Sequence, residues 1–317
     1  MNILVTGGAG FIGSHLADAL LAAGHHVTAL DDLSCGRESN IAHLRAHPRF
    51  QFIRLDVCDE KGLYDVFARD SFATVFHMAA NSDIQAGPRQ LNLDLNRTFL
   101  TTFAVLRCMK QHGTASLVFA STSAVYGEME GPMREDAGPL FPISFYGAAK
   151  LASEAFISAW VANCGIQAWI LRFPNVVGER STHGVVHDFI NRLTADPKRL
   201  TILGDGRQCK PYLYVKDLID GMLFVWQGAK DRLNYFNLGV NSDTTARRIA
   251  EIVVEKMRLS NVEFSFTGGD RGWTGDVPRF KYELSKVHQL GWQARRTSDE
   301  AIRLAVQAEL TYRGGQT

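Results

Sequence analysis

Gly7, Gly10 and Gly13 stand three residues apart, after the apolar run 2–6 and before an amphipathic stretch that reaches about residue 23. That order reads as strand, glycine turn, helix. The spacing suits a tight turn, a backbone close enough to touch a pyrophosphate, and a helix packed hard on its strand, with the anion on the helix's first amides. Phe11 and Ile12 lie between the last two glycines, at that helix start. Glycine triplets are common in turns, but here the next strand, 26–30, ends in Asp31-Asp32, close to the ~20-residue offset at which an acid meets an adenosine ribose. A carboxylate there bonds the free 2′-hydroxyl of NAD and repels the 2′-phosphate of NADP, so NAD is the expected cofactor.

Further alternation follows, with strands expected at 51–55, 74–77 and 116–120 and helices at 60–69 and 90–112. Strands and helices in turn imply an α/β fold with a parallel, doubly wound sheet, whose ligand crevice lies beyond the carboxyl ends of the strands. Asp56, Val57, Met78, Ala79 and Ala80 follow strands and are expected to line it. Ala79 and Ala80 read equally well as packing alanines.

Two further stretches carry chemistry. Ser121-Thr122-Ser123 follows a central strand, where a hydroxyl can donate to a substrate oxygen, although three such residues also make an ordinary turn. Tyr146 and Lys150 are four residues apart at the head of a long apolar-periodic segment and share a helix face. A phenol of pKa ~10 is a poor base, but an adjacent ammonium favours the phenolate, which is expected to bring Tyr146 towards neutrality.

Composition limits what else the chain can do. Its 317 residues, 46% hydrophobic and 21% charged, supply an ample core, and the net charge of +1 leaves no basic tract for nucleic acid or an anionic membrane. A small-molecule partner is expected. Five scattered cysteines without C-x-x-C spacing fit reduced thiols in a cytoplasmic compartment, and no metal cluster emerges. With neither a basic leader nor ~18 consecutive apolar residues, the chain reads as soluble and unprocessed.

The glycine triplet, Asp31, the hydroxyl cluster before Val125-Tyr126-Gly127 and Tyr146-x-x-x-Lys150 occur together and in order. In this the chain resembles the extended short-chain dehydrogenase/reductase family, which has a Rossmann sheet, and within it the NAD-dependent nucleotide-sugar epimerases typified by UDP-glucose (UDP-galactose) 4-epimerase. The resemblance implies Thr122, Tyr146 and Lys150 as the catalytic set, with Lys150 also on the nicotinamide ribose and Ser123 beside the substrate. Leu171-Arg172-Phe173-Pro174-Asn175 matches the segment that gives Phe173 and Pro174 to the cofactor and Asn175 to the sugar nucleotide. Residues 1–174 are expected to form the NAD-binding domain, with a returning segment near 212–242, and 175–317 mainly a smaller, interleaved substrate lobe. A homodimer built on 90–112 and 144–164 is also implied.

Departures from the family pattern are informative. Lys210, in Gln208-Cys209-Lys210-Pro211-Tyr212, stands where an arginine usually meets the pyrophosphate, and it lacks the guanidinium's bidentate fork. Trp273-Thr274-Gly275-Asp276 replaces Arg-x-Gly-Asp, with Arg271 displaced by two residues and Asp276 kept for a ribose. Asp94 replaces an asparagine that commonly contacts the cofactor ribose. Phe280, four residues after Asp276, falls on a wall of the hexose pocket, where an aromatic goes with sugars lacking a 2-N-acetyl group. After Thr122 come Ser123 and Ala124, where related 4,6-dehydratases carry Asp-Glu and uronic acid decarboxylases a glutamate. The resemblance therefore implies redox-neutral inversion at C4 of a UDP-hexose, UDP-glucose or UDP-galactose, through a transient 4-keto sugar. The alternatives are a dehydratase or oxidoreductase of the same family, or a protein that binds NAD as a sensor or scaffold.

Overall fold

The computed structural model describes residues 1–273 and 275–314, so Thr274 of the 273–276 segment lies outside the described residues. The chain begins with β1 (Asn2–Thr6), α1 (Phe11–Ala22), β2 (His26–Asp31), β3 (Phe50–Arg54) and α2 (Glu60–Arg69). It continues through β4 (Thr74–His77), α3 (Leu100–His112), β5 (Ser116–Thr122), α4 (Phe145–Cys164) and β6 (Gln167–Phe173). Next come β7 (Asn175–Val177), α5 (Val185–Ala195), β8 (Arg199–Ile202), β9 (Cys209–Lys210), β10 (Tyr212–Tyr214), α6 (Val215–Gly228) and β11 (Leu233–Asn237). The last elements are β12 (Thr244–Thr245), α7 (Ala246–Lys256), β13 (Glu263–Phe266), α8 (Ser285–Leu290) and α9 (Ser298–Gly314).

These elements form two interleaved compact units. The first holds Met1–Gly127, Gly138–Arg172 and Met222–Phe236, and the second holds Glu128–Ala137, Phe173–Gly221 and the chain from residue 237 onward.

In the first unit a seven-stranded sheet runs in the order β11-β6-β5-β4-β1-β2-β3. The pairs β1–β2, β1–β4, β2–β3 and β4–β5 are parallel, and Ile3, Leu4 and Val5 of the central strand have no exposed surface. Strands buried on both faces read as unbroken apolar runs, which is how β1 is written. One face is covered by α2, α3 and α4, whose Phe67, Val105 and Ile157 share a core with Val75 of β4. On the opposite face Phe76, the next residue, packs its ring edge-on to Trp226 of α6 at 5.1 Å. The order reverses direction about β1, and β1 and β4 flank the point where a ligand crevice is expected in such sheets.

Two local departures from the sequence expectation matter for the site. The helix expected over 90–112 becomes regular only at Leu100, after a wider π-helical turn over Leu95–Phe99. Asp94 and Thr98, at the start of that turn and within it, both bond the loop after β4: Asn81 Nδ2 donates to Asp94 Oδ1 at 2.9 Å and Asn81 N to Thr98 Oγ1 at 3.2 Å. In β5 the strand runs past Ala120 to Thr122, so Ser121 and Thr122 are strand residues and only Ser123 opens the following turn.

In the second unit, short pairs replace the large sheet: β7 with β10, β8 with β13, and β9 with β12. The buried Ala301, Ile302, Ala305 and Val306 of α9 close its core. Ser298 at the head of that helix accepts from Tyr212 N at 2.9 Å and donates to Ser242 O at 2.7 Å. No helix among the described residues is long and apolar enough to cross a membrane. Nor do the described residues contain a group of three or more His, Cys, Asp or Glu side chains placed to hold a metal.

Candidate active site

The glycine loop is held by close backbone contacts that side chains would prevent. Gly7 has φ +66°, and a Cβ on it would lie 2.8 Å from the amide nitrogen of Ala79. A Cβ on Gly13 would collide with the carbonyl oxygen of Gly7, so α1 starts directly against the turn. Gly10 caps that helix without a side-chain acceptor, which leaves its first amides and the positive end of its dipole to an anion. Phe11 and Ile12 form the first turn and are half-buried.

Of Asp31, the last residue of β2, and Asp32, which follows it, Asp31 faces the loop. Its Oδ2 accepts from Ala9 N at 3.0 Å and its Oδ1 from Leu33 N at 2.8 Å. Burial pushes its carboxyl above the usual range, and these backbone donors pull it part of the way back. Asp32 turns instead to Ser34, whose amide and hydroxyl both donate to its Oδ1, and lies 3.5 Å from Arg97. Asp56 is exposed, with Oδ1 taken by the amide of Cys58 at 2.8 Å, while Val57 is buried. Thr6 ties the loop to β4: its carbonyl accepts from Met78 N and its hydroxyl from Ala79 N. The loop, Asp31, Met78 and Ala79 thus form one cradle, which a dinucleotide's phosphates and adenosine ribose fit.

Thr122, Tyr146 and Lys150 come together at the neighbouring strand end. Ser144 caps α4 by accepting from Gly147 N at 3.1 Å, which sets Tyr146 in the first turn and Lys150 one turn later. Thr122 hydrogen-bonds the Tyr146 side chain, and its Oγ1 also accepts from Ala124 N at 3.1 Å. Lys150 is 1% exposed, donates to Ala120 O at 2.6 Å, and has its Nζ 5.8 Å from the centre of the Tyr146 ring.

The electrostatics of this set differ from the sequence expectation. Burial raises the Tyr146 phenol above its ordinary value, the charge of Asp94 raises it further, and only the Thr122 hydrogen bond works the other way. The lysine is itself the strongly shifted group. Burial lowers it to about 7, against the opposing pull of Glu154 and Asp94. A buried ammonium that is hard to charge is a weak source of help for a phenolate. His77, wholly buried between Thr6 Oγ1 at 2.7 Å and Thr102 Oγ1 at 3.2 Å, is lowered to about 3 by burial and by Lys150.

The sequence reading passed over Glu154 and Arg172. Glu154 accepts from Arg172 Nε at 3.0 Å and Nη2 at 2.6 Å and from the hydroxyl of Ser121, and Arg172 Nη1 donates to Tyr126 Oη at 2.9 Å. One carboxylate thereby joins α4, β5 and β6 beside Thr122, Tyr146 and Lys150. The signal was legible as the continuation of Tyr146 and Lys150 by a third polar residue at i, i+4.

Asn175, Lys210, Arg271, Asp276 and Phe280, the other residues expected on the substrate, lie in the second unit, as do Phe173 and Pro174, expected on the cofactor. Phe173 and Pro174 are buried, and Asn175 is exposed with its side chain hydrogen-bonded to Tyr212. Lys210 pairs with Asp276, whose Oδ2 accepts from Gly272 N at 3.2 Å, and Arg271 lies 2.6 Å from Glu128. Lys210 and Asp276 therefore satisfy each other. Phe280 is half-buried and meets Tyr282 edge-on at 5.9 Å.

Known proteins share this fold. Residues 3–239 match the family model described as NAD dependent epimerase/dehydratase family. A solved UDP-galactose 4-epimerase is 34% identical, with a TM-score of 0.87 over 98% of this chain and 99% of the other. The UDP-glucose 4-epimerase of Thermus thermophilus, solved in complex with NAD, is 30% identical, with a TM-score of 0.86 over 97% of this chain and 98% of that one. The dTDP-glucose 4,6-dehydratase of Streptomyces griseus is 32% identical over 295 residues, which are 89% of this chain and 88% of that enzyme. The match to the family model covers most of the sequence and includes both the glycine cradle and the Thr122, Tyr146 and Lys150 set; the chain belongs to the NAD-dependent epimerase/dehydratase family, and NAD is its cofactor.

Proposed function

We propose that the protein inverts the configuration at C4 of a UDP-hexose, interconverting UDP-glucose and UDP-galactose. The observation that carries this reading is the pairing of an assembled Thr122, Tyr146 and Lys150 with Ser123 and Ala124 immediately after the threonine. Elimination of water calls for a general acid and a general base in the transition state, and neither side chain at 123 or 124 can serve. Inversion calls for one proton carrier, Tyr146, and a means of taking hydride from C4 and returning it.

Tyr146 removes the C4 hydroxyl proton as the carbon is oxidised and gives it back on reduction. The Thr122 hydroxyl, already on the tyrosine, holds the same oxygen. NAD, when bound, supplies the acceptance and return of hydride. Lys150 orients the nicotinamide ribose, and the glycine loop and Asp31 hold the pyrophosphate and the adenosine ribose, flanked by Phe11, Ile12, Val57, Met78 and Ala79. In the second unit Asn175, Lys210, Arg271 and Asp276 take the nucleotide diphosphate. Phe280 fills volume that a 2-acetamido group would need, and crowding of that kind costs roughly 1 to 3 kcal/mol. The sugar turns its other face between the two hydride steps.

The test is incubation of the purified protein with UDP-, dTDP-, GDP- and CDP-hexoses and with UDP-N-acetylhexosamines, with products resolved by NMR. The expected result is C4 inversion of the UDP-hexoses, slower by ~10-fold or more for the acetylated sugars. A 4-keto-6-deoxy product from any donor would replace this reading with dehydration.

A further inference from the structure

His77, the last residue of β4, has no exposed surface and no assigned part in the reaction. Its ring lies against Phe119 of β5 at 5.9 Å, and both nitrogens meet hydroxyls: Thr6 Oγ1 lies 2.7 Å from Nδ1, and Thr102 Oγ1, on α3, lies 3.2 Å from Nε2. Burial keeps the ring neutral, so one nitrogen carries a proton and the other is bare. The partners decide which. Thr102 spends its hydroxyl proton on Thr98 O at 3.0 Å, so it offers Nε2 a lone pair and Nε2 donates. Nδ1 is then bare and takes the proton of Thr6, while the Thr6 oxygen accepts from Ala79 N at 3.3 Å. Ala79, Thr6, His77 and Thr102 thus form a chain of hydrogen bonds that all run one way and end on Thr98 O. In the other tautomer the Thr6 oxygen would accept from both neighbours, its own proton would meet neither, and Thr102 would have to leave Thr98.

We propose that His77 is a positioning residue for NAD: Thr102 fixes its proton on Nε2, and the bare Nδ1 then aims the Thr6 hydroxyl that seats Ala79 against the glycine loop. The contact at the cradle end has no slack, because a Cβ on Gly7 would lie 2.8 Å from Ala79 N. A shift of that amide is therefore passed to the turn that the dinucleotide's phosphates fit. The far end is anchored on the wide turn before α3, where the Thr98 side chain accepts from Asn81 N at 3.2 Å. Thr102 reaches the cradle only through the imidazole, which makes the direction of the chain, and not packing alone, the property that His77 supplies.

Nitrogen NMR of histidine-labelled protein, with His77→Gln identifying the signals, is expected to show His77 as the Nε2–H tautomer at neutral pH. NAD binding is measured by calorimetry beside it. Thr102→Val removes the acceptor of Nε2 and is expected to weaken NAD binding by about three- to ten-fold, the worth of one hydrogen bond in a buried network. Thr102→Ser returns the hydroxyl and should bind NAD within about two-fold of the parent. Once Thr6→Val has taken the acceptor from Ala79 N, adding Thr102→Val should cost little further NAD affinity, since the chain is already cut. A role in packing alone would lower stability, leave NAD affinity in place in Thr102→Val and show no dependence on the tautomer. The inference is overturned by an Nδ1–H tautomer, by parental NAD affinity in a folded Thr102→Val protein, by a Thr102→Ser protein as weak as Thr102→Val, or by additive losses in the double variant.

Discussion

Glu154 and Arg172 form a two-pronged ion pair, at 2.6 and 3.0 Å, one helical turn beyond Lys150, with both side chains less than a tenth exposed. Burial works against the guanidinium's charge, but its bonds to Glu154 outweigh that and hold its pKa above the ordinary value. The pair fastens the end of β6 to α4 and, through Ser121, to β5.

Removing one partner of such a pair leaves the other charged and alone. Arg172→Met is therefore expected to lower stability by about 3 to 5 kcal/mol, read from urea unfolding, with a further loss of activity as Lys150 meets an unmatched Glu154. A change below about 1 kcal/mol would mean that water or another group satisfies Glu154.

Tyr146→Phe removes the proposed proton carrier and leaves the glycine cradle untouched. Turnover should fall by roughly 10²- to 10⁴-fold, while NAD binding measured by calorimetry stays within about two-fold. Retained turnover would mean that another group moves the proton.

Lys150 gives the folded protein a pH dependence of known sign. Its folded pKa, about 7, lies below its unfolded value of 10.5, so between these limits the unfolded chain binds the extra proton. Stability then rises with pH across that window through this group and is indifferent to it below pH 7. The slope of unfolding free energy against pH should be shallower in Lys150→Met, and equal slopes would contradict the assignment.

An aromatic run on α3, the turn before it and α4 suits self-association. Phe156, 39% exposed, meets Phe99 at 5.0 Å and Phe103 at 5.9 Å, and Phe103 meets Trp160 at 5.8 Å. A second copy of the same helices would cover this face around a two-fold axis. Sedimentation is expected to show a dimer at micromolar concentration and a monomer for Phe156→Glu. A monomeric parent protein would exclude the pairing.

The fold was largely legible because its signals are local. Apolar runs, a glycine spacing and an acid at the end of β2 each act within a few residues of chain, and the seven-stranded sheet follows from their alternation. What escaped was long-range. Nothing near Glu154 in the sequence announces Ser121 or Arg172, which meet it only once β5 and β6 lie side by side. The Tyr146 and Lys150 spacing placed the two groups correctly, yet it misjudged their charge balance. That balance depends on burial and on Asp94, 52 positions before the tyrosine. Likewise, Lys210 and Asp276 read as two separate ligands until the structure paired them.

The proposed reaction is a redox-neutral inversion in which the hydrogen at C4 leaves and returns. Its most direct test follows UDP-galactose carrying deuterium at C4 through turnover in ordinary water, by NMR. The account predicts UDP-glucose with the deuterium still at C4, with no build-up of NADH and with many turnovers for each bound NAD. Deuterium displaced from C4 to another carbon, or NADH formed in step with product, would contradict it.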